Sequence, residues 1–194
     1  MTDNDAMRRA IEQARAGIRA GQSPFGAVIV RGGAALADAH NTVWRDSDPS
    51  AHAEVNAIRQ AAASLRAIDL CGCTMYSTCE PCPMCLAAIH WSKIDRVVYG
   101  ATIADAEAAG FTELRVAAAD LARLGGSRLR VEAGPLRDEC CRLFEEWKQI
   151  GLCKPYRVAR GVSCVMRPVR SIDRSAARTR RRRQRRCGRP GLPG

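Results

Sequence analysis

Apolar residues recur at helical spacing in the first twenty positions of the chain. Met7, Ile11, Ala14 and Ile18 fall three or four residues apart, which places them on one face of a helix. Gly21 follows the last of them and is a typical stop signal. The pattern therefore predicts a first amphipathic helix.

The next two apolar segments, FGAVIV and AALADAH, predict strands. Both are short, and they are joined by RGG, whose Gly32 and Gly33 tolerate the positive φ of a tight turn. The two segments are expected to form an antiparallel hairpin.

A second helix is predicted over SAHAEVNAIRQAAASL. Ser50 is its candidate N-cap, and Val55, Ile58, Ala62 and Leu65 form the face expected to be buried.

The remaining pattern alternates between the two kinds of element. CTMYS, IDRVVYG and RLRVE predict strands, whereas PCPMCLAAIHW, with prolines in its first turn, and LRDECCRLFEEWKQI, followed by Gly151, predict helices. Residues 104–127 give no clear pattern. Alternating elements of this kind predict an α/β fold with three layers, α/β/α, in which a mixed sheet carries helices on both faces.

Length and charge divide the chain into two parts. Its 194 residues, 46% of them apolar, suit one globular domain, and the pattern ends near Tyr156. We therefore predict a domain over residues 1–156 and a disordered Arg-rich extension over residues 157–194, which hold thirteen arginines and one acid. The net charge of +11 thus belongs to the extension, and the predicted domain carries −1.

The extension has three interpretations. It binds nucleic acid through phosphates, it is a solvated segment with no role, or it is a translation artefact past a frameshift. The second and third are favoured.

Cysteine usage depends on the compartment. No stretch reaches the roughly 18 apolar residues of a membrane span, and MTDNDAMRRA lacks the apolar run of a signal peptide, so a cytoplasmic protein without a membrane partner is expected. Thiols stay reduced there, and the ten cysteines are better explained by metal binding, catalysis or packing than by disulfides.

Three cysteines lie at a strict spacing of three: Cys79, Cys82 and Cys85. A CxxC pair at a helix start places two thiols on one face, where the helix dipole favours thiolates. Alone, this fits either a redox dithiol or half of a zinc site.

The other half of a zinc site is offered by AHAEV, which supplies His52 and, two residues on, Glu54. Three protein ligands with water in the fourth position are characteristic of catalytic zinc, and an adjacent carboxylate can move protons between that water and the substrate. His52, Cys82 and Cys85 are therefore the predicted ligands, and Glu54 the predicted catalytic residue. In the alternative, Cys79 completes a closed structural site, which leaves Glu54 without a role.

The pattern HxE followed by PCxxC resembles the zinc-dependent cytidine deaminase superfamily. Residues 5–156 carry the resemblance, and PFGAVIV, DPSAHAEVNAIR, TCEPCPMCLAAIHW and DAEAAGF are similar to bacterial guanine deaminases. The resemblance implies a five-stranded sheet between helices, one zinc ion per chain and a homodimer or larger assembly.

It also implies residues that bind a substrate. Asn41 would hold the base, Phe25 and Trp91 would line the pocket, and Tyr156 would close over an active site. Where guanine deaminases typically carry AGFDD this chain has AGFTE, so the acid that would grip the base falls on Glu113.

The expected reaction is hydrolytic deamination of a purine base, with guanine going to xanthine and ammonia. The alternatives are a tRNA adenosine deaminase and a deaminase of another base or nucleoside such as cytosine. The tRNA enzyme is disfavoured because its grip on RNA depends on basic surface around the site, whereas the predicted domain is nearly neutral. A nucleic-acid partner for the Arg-rich extension is possible but not favoured.

Overall fold

The computed structural model describes residues 1–150. The predictions for Gly151, Tyr156 and the extension over residues 157–194 lie outside the described residues. The strands are β1 (Gly26–Arg31), β2 (Ala34–His40), β3 (Cys73–Cys79), β4 (Arg96–Ala101) and β5 (Arg130–Ala133). The helices are α1 (Asp3–Arg19), α2 (Val43–Asp46), α3 (Ala53–Leu65), α4 (Pro83–Trp91), α5 (Ile103–Ala108), α6 (Ala118–Leu124) and α7 (Arg137–Gln149).

The strands form one mixed sheet in the order β2-β1-β3-β4-β5. β1 pairs antiparallel with both β2 and β3, while β3, β4 and β5 are parallel. Gly32 and Gly33 have φ of 56° and 79° and close the β1–β2 hairpin, as predicted. The parallel strands point their carboxyl ends toward one edge, which is where ligands bind in open α/β sheets.

Side chains of β1 alternate between two apolar cores. Val28 and Val30 pack with α1 and α7 on one face of the sheet, whereas Ala27 and Ile29 pack with α3, α4 and α6 on the other. The three-layer α/β/α prediction is therefore confirmed, including the mixed five-stranded sheet.

Helix α1 lies unusually close to β1. A Cβ atom at Gly26 would stand 2.1 Å from the carbonyl oxygen of Ala10 and 2.6 Å from the amide nitrogen of Ala14, so only glycine permits this packing. The contact fixes the start of β1, and with it the neighbouring Phe25.

The N-cap predicted for the second helix is wrong, and the predicted buried face is confirmed only in part. Ser50 does not cap it, because the amide and hydroxyl of Ser50 both donate to Oδ1 of Asp48 in the preceding turn, and α3 begins later, with His52 at its N-cap. The most deeply buried stripe consists of the small side chains of Ala53, Ala57 and Ala61, whereas Ile58 and Leu65 of the predicted face are partly buried and pack against the same core.

The segment without a clear pattern contains α5, a loop and α6. No helix in residues 1–150 combines the length and the apolar character required to cross a bilayer.

Candidate metal centre and active site

The first turns of two helices meet at the carboxyl edge of the sheet. His52 is the N-cap of α3 and Cys82 is the N-cap of α4, and both have the extended backbone typical of that position. Neither side chain makes a capping hydrogen bond to its own helix. The side chains turn toward each other instead, so Cys82 Sγ lies 3.7 Å from His52 Nδ1.

Cys85, in the first turn of α4, completes this group. Its Sγ lies 3.5 Å from His52 Nδ1, and the three potential ligand atoms lie within 4.8 Å of one another. Within the described part of the chain, this is the one group of three His, Cys, Asp or Glu side chains close enough to share a metal ion.

The geometry of the group fits zinc. Tetrahedral coordination with ordinary Zn–S and Zn–N bond lengths separates a nitrogen and a sulfur ligand by about 3.6 Å, which agrees with the two distances from His52 Nδ1. One imidazole and two thiolates form a donor set that suits zinc, and three protein ligands leave a fourth position open.

Local electrostatics favour a thiolate at Cys82. Hydrogen bonds from Cys85 and His52 outweigh burial and lower the pKa of the Cys82 thiol to about 4. The pKa of the Cys85 thiol is raised because it is hydrogen-bonded to Cys82 and is buried. Zinc binding must therefore displace the proton held between the Cys82 and Cys85 thiols, so the affinity for zinc depends on pH.

Glu54 is a buried carboxylate directly beside the group. Its side chain is only 6% exposed, and burial raises its pKa. Oε1 accepts a hydrogen bond of 3.0 Å from the Ser77 hydroxyl, whereas Oε2 lies 3.4 Å from Cys85 Sγ. One oxygen is therefore held from β3, and the other faces the predicted ligands.

Cys79, at the end of β3, stands apart from the metal-binding group. Its Sγ donates to the backbone carbonyl of Thr102 at 3.6 Å, and burial raises its pKa well above the ordinary value. Cys79 is also not among the three side chains that lie close enough to share a metal ion. The closed four-ligand alternative is therefore disfavoured.

A small open cavity lies over Glu54 and the metal-binding group. Seven residues line it: Phe25, His52, Glu54, Cys79, Glu80, Cys82 and Glu113. The structure thus brings Phe25 and Glu113, both predicted to bind substrate, to the predicted catalytic group. Burial, and after it the negative charge at Cys82, raise the pKa of the Glu113 carboxyl.

Asn41 and Trp91 are not among the residues that line this cavity. Asn41 is buried after β2, and its side-chain oxygen accepts a hydrogen bond of 3.1 Å from the amide of Val43. Trp91 is 73% exposed and borders a separate depression between α4 and α6. Their roles in substrate binding stay predictions, as does that of Tyr156.

Sequence reasoning missed two polar residues of the site, Ser77 and Glu80. Ser77 lies 23 positions from the carboxylate it binds, and Glu80 lies 23 and 38 positions from the two amides it accepts. The one sequence feature that could have indicated either residue is the position of Glu80, between Cys79 and Cys82 in the cysteine motif.

The fold is α/β with a mixed sheet, and at the edge of that sheet two helix starts bring together a His–Cys–Cys group that fits zinc, with a carboxylate beside it. This combination defines a zinc-dependent aminohydrolase. The chain belongs to the family described as the cytidine and deoxycytidylate deaminase zinc-binding region, which it matches over residues 1–101. It is thus a hydrolytic deaminase with zinc as its cofactor, as the resemblance predicted.

Two curated relatives and one solved structure are informative. The chain is 47% identical to guanine deaminase of Bacillus subtilis over 114 residues, which are 58% of this chain and 73% of that protein. It is 40% identical to tRNA-specific adenosine deaminase of Aquifex aeolicus over 95 residues, which are 49% of this chain and 63% of the relative. A solved guanine deaminase from Nitrosomonas europaea matches with a TM-score of 0.69 and 32% identity, over 74% of this chain and 83% of its own.

Proposed function

We propose that this enzyme deaminates a free purine base, and that guanine, converted with water to xanthine and ammonia, is its substrate. The observation that carries the proposal is the position of Glu113, whose carboxyl lines the same cavity as Glu54 and the metal-binding group. The similarity to guanine deaminase of Bacillus subtilis supports the same substrate.

His52, Cys82 and Cys85 would hold the zinc ion. When bound there, zinc supplies a Lewis acid that activates water for attack on the ring carbon carrying the amine.

Glu54 moves the protons. Its Oε2 faces the metal-binding group, while the Ser77 hydroxyl holds Oε1 in place. A buried carboxyl with a raised pKa can take a proton from water and pass it to a ring nitrogen, and can assist a second transfer to the departing amine. The reaction then balances, because one water enters and one ammonia leaves.

Glu113 and Phe25 recognise the base. Guanine presents one ring N–H beside its amine, and an ionised carboxylate accepts from such donors. Phe25 offers an apolar ring at the cavity, and its edge-to-face contact with Phe111, at 4.9 Å between centroids, fixes its orientation.

A tRNA adenosine deaminase is the second candidate, supported by the similarity to the Aquifex aeolicus enzyme. A flipped nucleotide in RNA needs basic surface around the site. Residues 1–156 carry a net charge of −1, and the thirteen arginines of residues 157–194 lie beyond the described part of the chain. The free base is therefore favoured.

The test is the conversion of guanine to xanthine by purified full-length protein, with ammonia and zinc measured on the same sample. Glu54→Gln is the informative variant, because it preserves shape and removes the proton acceptor. We expect one zinc per chain in both proteins and a loss of turnover of at least about 10²-fold in the variant. Substantial residual turnover in Glu54→Gln would contradict the role of Glu54 in proton transfer.

A further inference from the structure

The carboxylate of Glu80 joins the first turns of two helices. Its Oε2 accepts a hydrogen bond of 3.2 Å from the amide of Ile103, the first residue of α5. Its Oε1 accepts one of 2.8 Å from the amide of Ala118, the first residue of α6. A carboxylate is well suited to this position, because the free amides of a helix start carry partial positive charge.

Helix α6 depends on this contact more than α5 does. Thr102 and Asp105 form a capping box at the start of α5. The N-cap of α6 is Ala117, whose methyl group cannot accept a hydrogen bond. Glu80 therefore supplies to α6 an acceptor that the local sequence lacks.

The loop between these two helices carries a residue of the proposed base site. Residues 109–117 have no regular structure, and Glu113 lies near their middle. Inside the loop, the amide of Phe111 donates to Ala106 and Arg115 pairs with Glu107 at 2.7 Å. The far end of the loop, at Ala118, is held by Glu80.

Glu80 itself is anchored to the sheet beside the metal-binding group. Its amide donates to the carbonyl of Ala101 at 2.8 Å, and it lies between Cys79 at the end of β3 and Cys82 at the N-cap of α4. Glu80 and Glu113 also line the same cavity. Glu80 thus connects the turn that leads to Cys82, a predicted zinc ligand, with the end of the loop that carries Glu113.

We propose that Glu80 is a positioning residue that sets the distance of Glu113 from the metal-binding group and thereby the affinity for the base. The inference rests on the proposed function, in which Glu113 binds substrate. Glu80 acts through Glu113 and not on the reacting atoms, because each of its carboxylate oxygens accepts from a backbone amide.

The test compares Glu80→Gln with Glu113→Gln and with the double variant, all in the full-length protein. Glutamine keeps the shape of Glu80, but its amide group faces one of the two N–H donors and loses that bond. Glu145→Gln, on the exposed part of α7, is the matched control. The cycle is run on whichever free base or nucleoside the wild type turns over fastest, so it does not depend on guanine being that substrate.

We expect Glu80→Gln to keep one zinc per chain and to lower kcat/KM by roughly tenfold, the scale of one hydrogen bond to a charged group. Most of the change should be in KM, because the lost interaction binds substrate rather than the transition state alone. In the double variant the loss should match that of Glu113→Gln alone. Hydrogen exchange at the amides of Ile103 and Ala118 should accelerate in Glu80→Gln only.

Three results would overturn the inference: losses that multiply in the double variant, a change confined to kcat, or unchanged exchange at both amides. Failure of the proposed function has a different readout, namely absence of guanine turnover in the wild type. Because hydrogen exchange needs no substrate, the two failures are distinguishable.

Discussion

The hydroxyl of Ser77 donates a hydrogen bond of 3.0 Å to Oε1 of Glu54, and both side chains are buried. The bond crosses from β3 to the first turn of α3. It directs the other carboxylate oxygen toward the residues predicted to hold zinc. The proposed proton-transfer group is therefore held in part by a hydrogen bond from the sheet.

Ser77→Ala should reduce turnover without removing the metal. Loss of one hydrogen bond to a charged group costs about 1.5 to 3 kcal/mol, which corresponds to a decrease in kcat of roughly tenfold to a hundredfold. Steady-state kinetics with zinc analysis on the same samples would measure this. Ser92→Ala removes another buried hydroxyl, which donates to the carbonyl of Ile89, and serves as the control. Equal kcat in the Ser77 variant and the wild type would contradict the account.

The zinc content of single-cysteine variants should show which of the three cysteines of the TCEPCPMC segment bind the metal. Cys82→Ala and Cys85→Ala each remove a predicted ligand and should lower zinc well below one ion per chain. Cys79→Ala should keep one zinc and measurable turnover, because the Cys79 thiol donates to the carbonyl of Thr102 and lies outside the group of three side chains close enough to share a metal ion. Elemental analysis of the three variants decides this. Loss of metal from Cys79→Ala, with Cys82 or Cys85 dispensable, would overturn the ligand assignment.

Local signals in the sequence predicted most of the fold. The Gly32–Gly33 turn predicted the hairpin, and periodicity predicted α1 and α7, because these features depend on residues a few positions apart. The short helices α5 and α6 were not predicted, since neither has a repeated apolar pattern long enough to recognise. Ser50 was misread as a cap because Asp48, two residues earlier, accepts both of its hydrogen bonds.

The candidate site was predicted only in part, because sequence patterns report residues a few positions apart and not contacts between distant segments. Two short motifs contain the predicted ligands and the predicted catalytic residue, and their chemistry can be inferred without a structure. These residues are His52, Glu54, Cys82 and Cys85. The contacts of Ser77 and Glu80 join distant segments, and their partners are set by strand register and helix packing. The pocket role that the resemblance implies for Trp91 stays a prediction, and this side chain is 73% exposed in the structure.

Acid should weaken the attachment of α1 to the sheet. Asp3 accepts hydrogen bonds from Arg96, at 2.7 Å, and from Tyr76, and these contacts lower its pKa. A carboxyl with a lowered folded-state pKa contributes stability above its unfolded pKa of about 3.9, and this contribution is lost as pH falls through the folded value.

Asp3→Asn tests this attachment. Because the carboxylate is partly exposed, we expect it to lower Tm at pH 7 by only about 1 to 3 °C. The difference from wild type should shrink below about pH 4. Thermal unfolding at pH 7, 5 and 3 measures it, with the exposed Glu12→Gln as control. A difference independent of pH would show that the charge of Asp3 has no role.

Truncation after Tyr156 should leave catalysis intact. The predicted ligands, Glu54 and Glu113 all precede that position, so the shortened chain should bind zinc and deaminate the free base within a few-fold of the full chain. If the thirteen arginines of residues 157–194 instead recruit RNA, turnover of an RNA substrate should fall steeply with salt and disappear on truncation. Comparing the two chains at two salt concentrations distinguishes these outcomes.

The central claim is that a zinc-dependent site recognises guanine as a free base. Ammonia release by the full-length enzyme from guanine, adenine, cytosine, their nucleosides and a tRNA anticodon stem, each at equal concentration, tests it most directly. The account predicts the highest kcat/KM for guanine, xanthine formed in equal amount to ammonia, and a selective loss for guanine in Glu113→Gln. Faster turnover of adenosine in the tRNA stem than of guanine would contradict it.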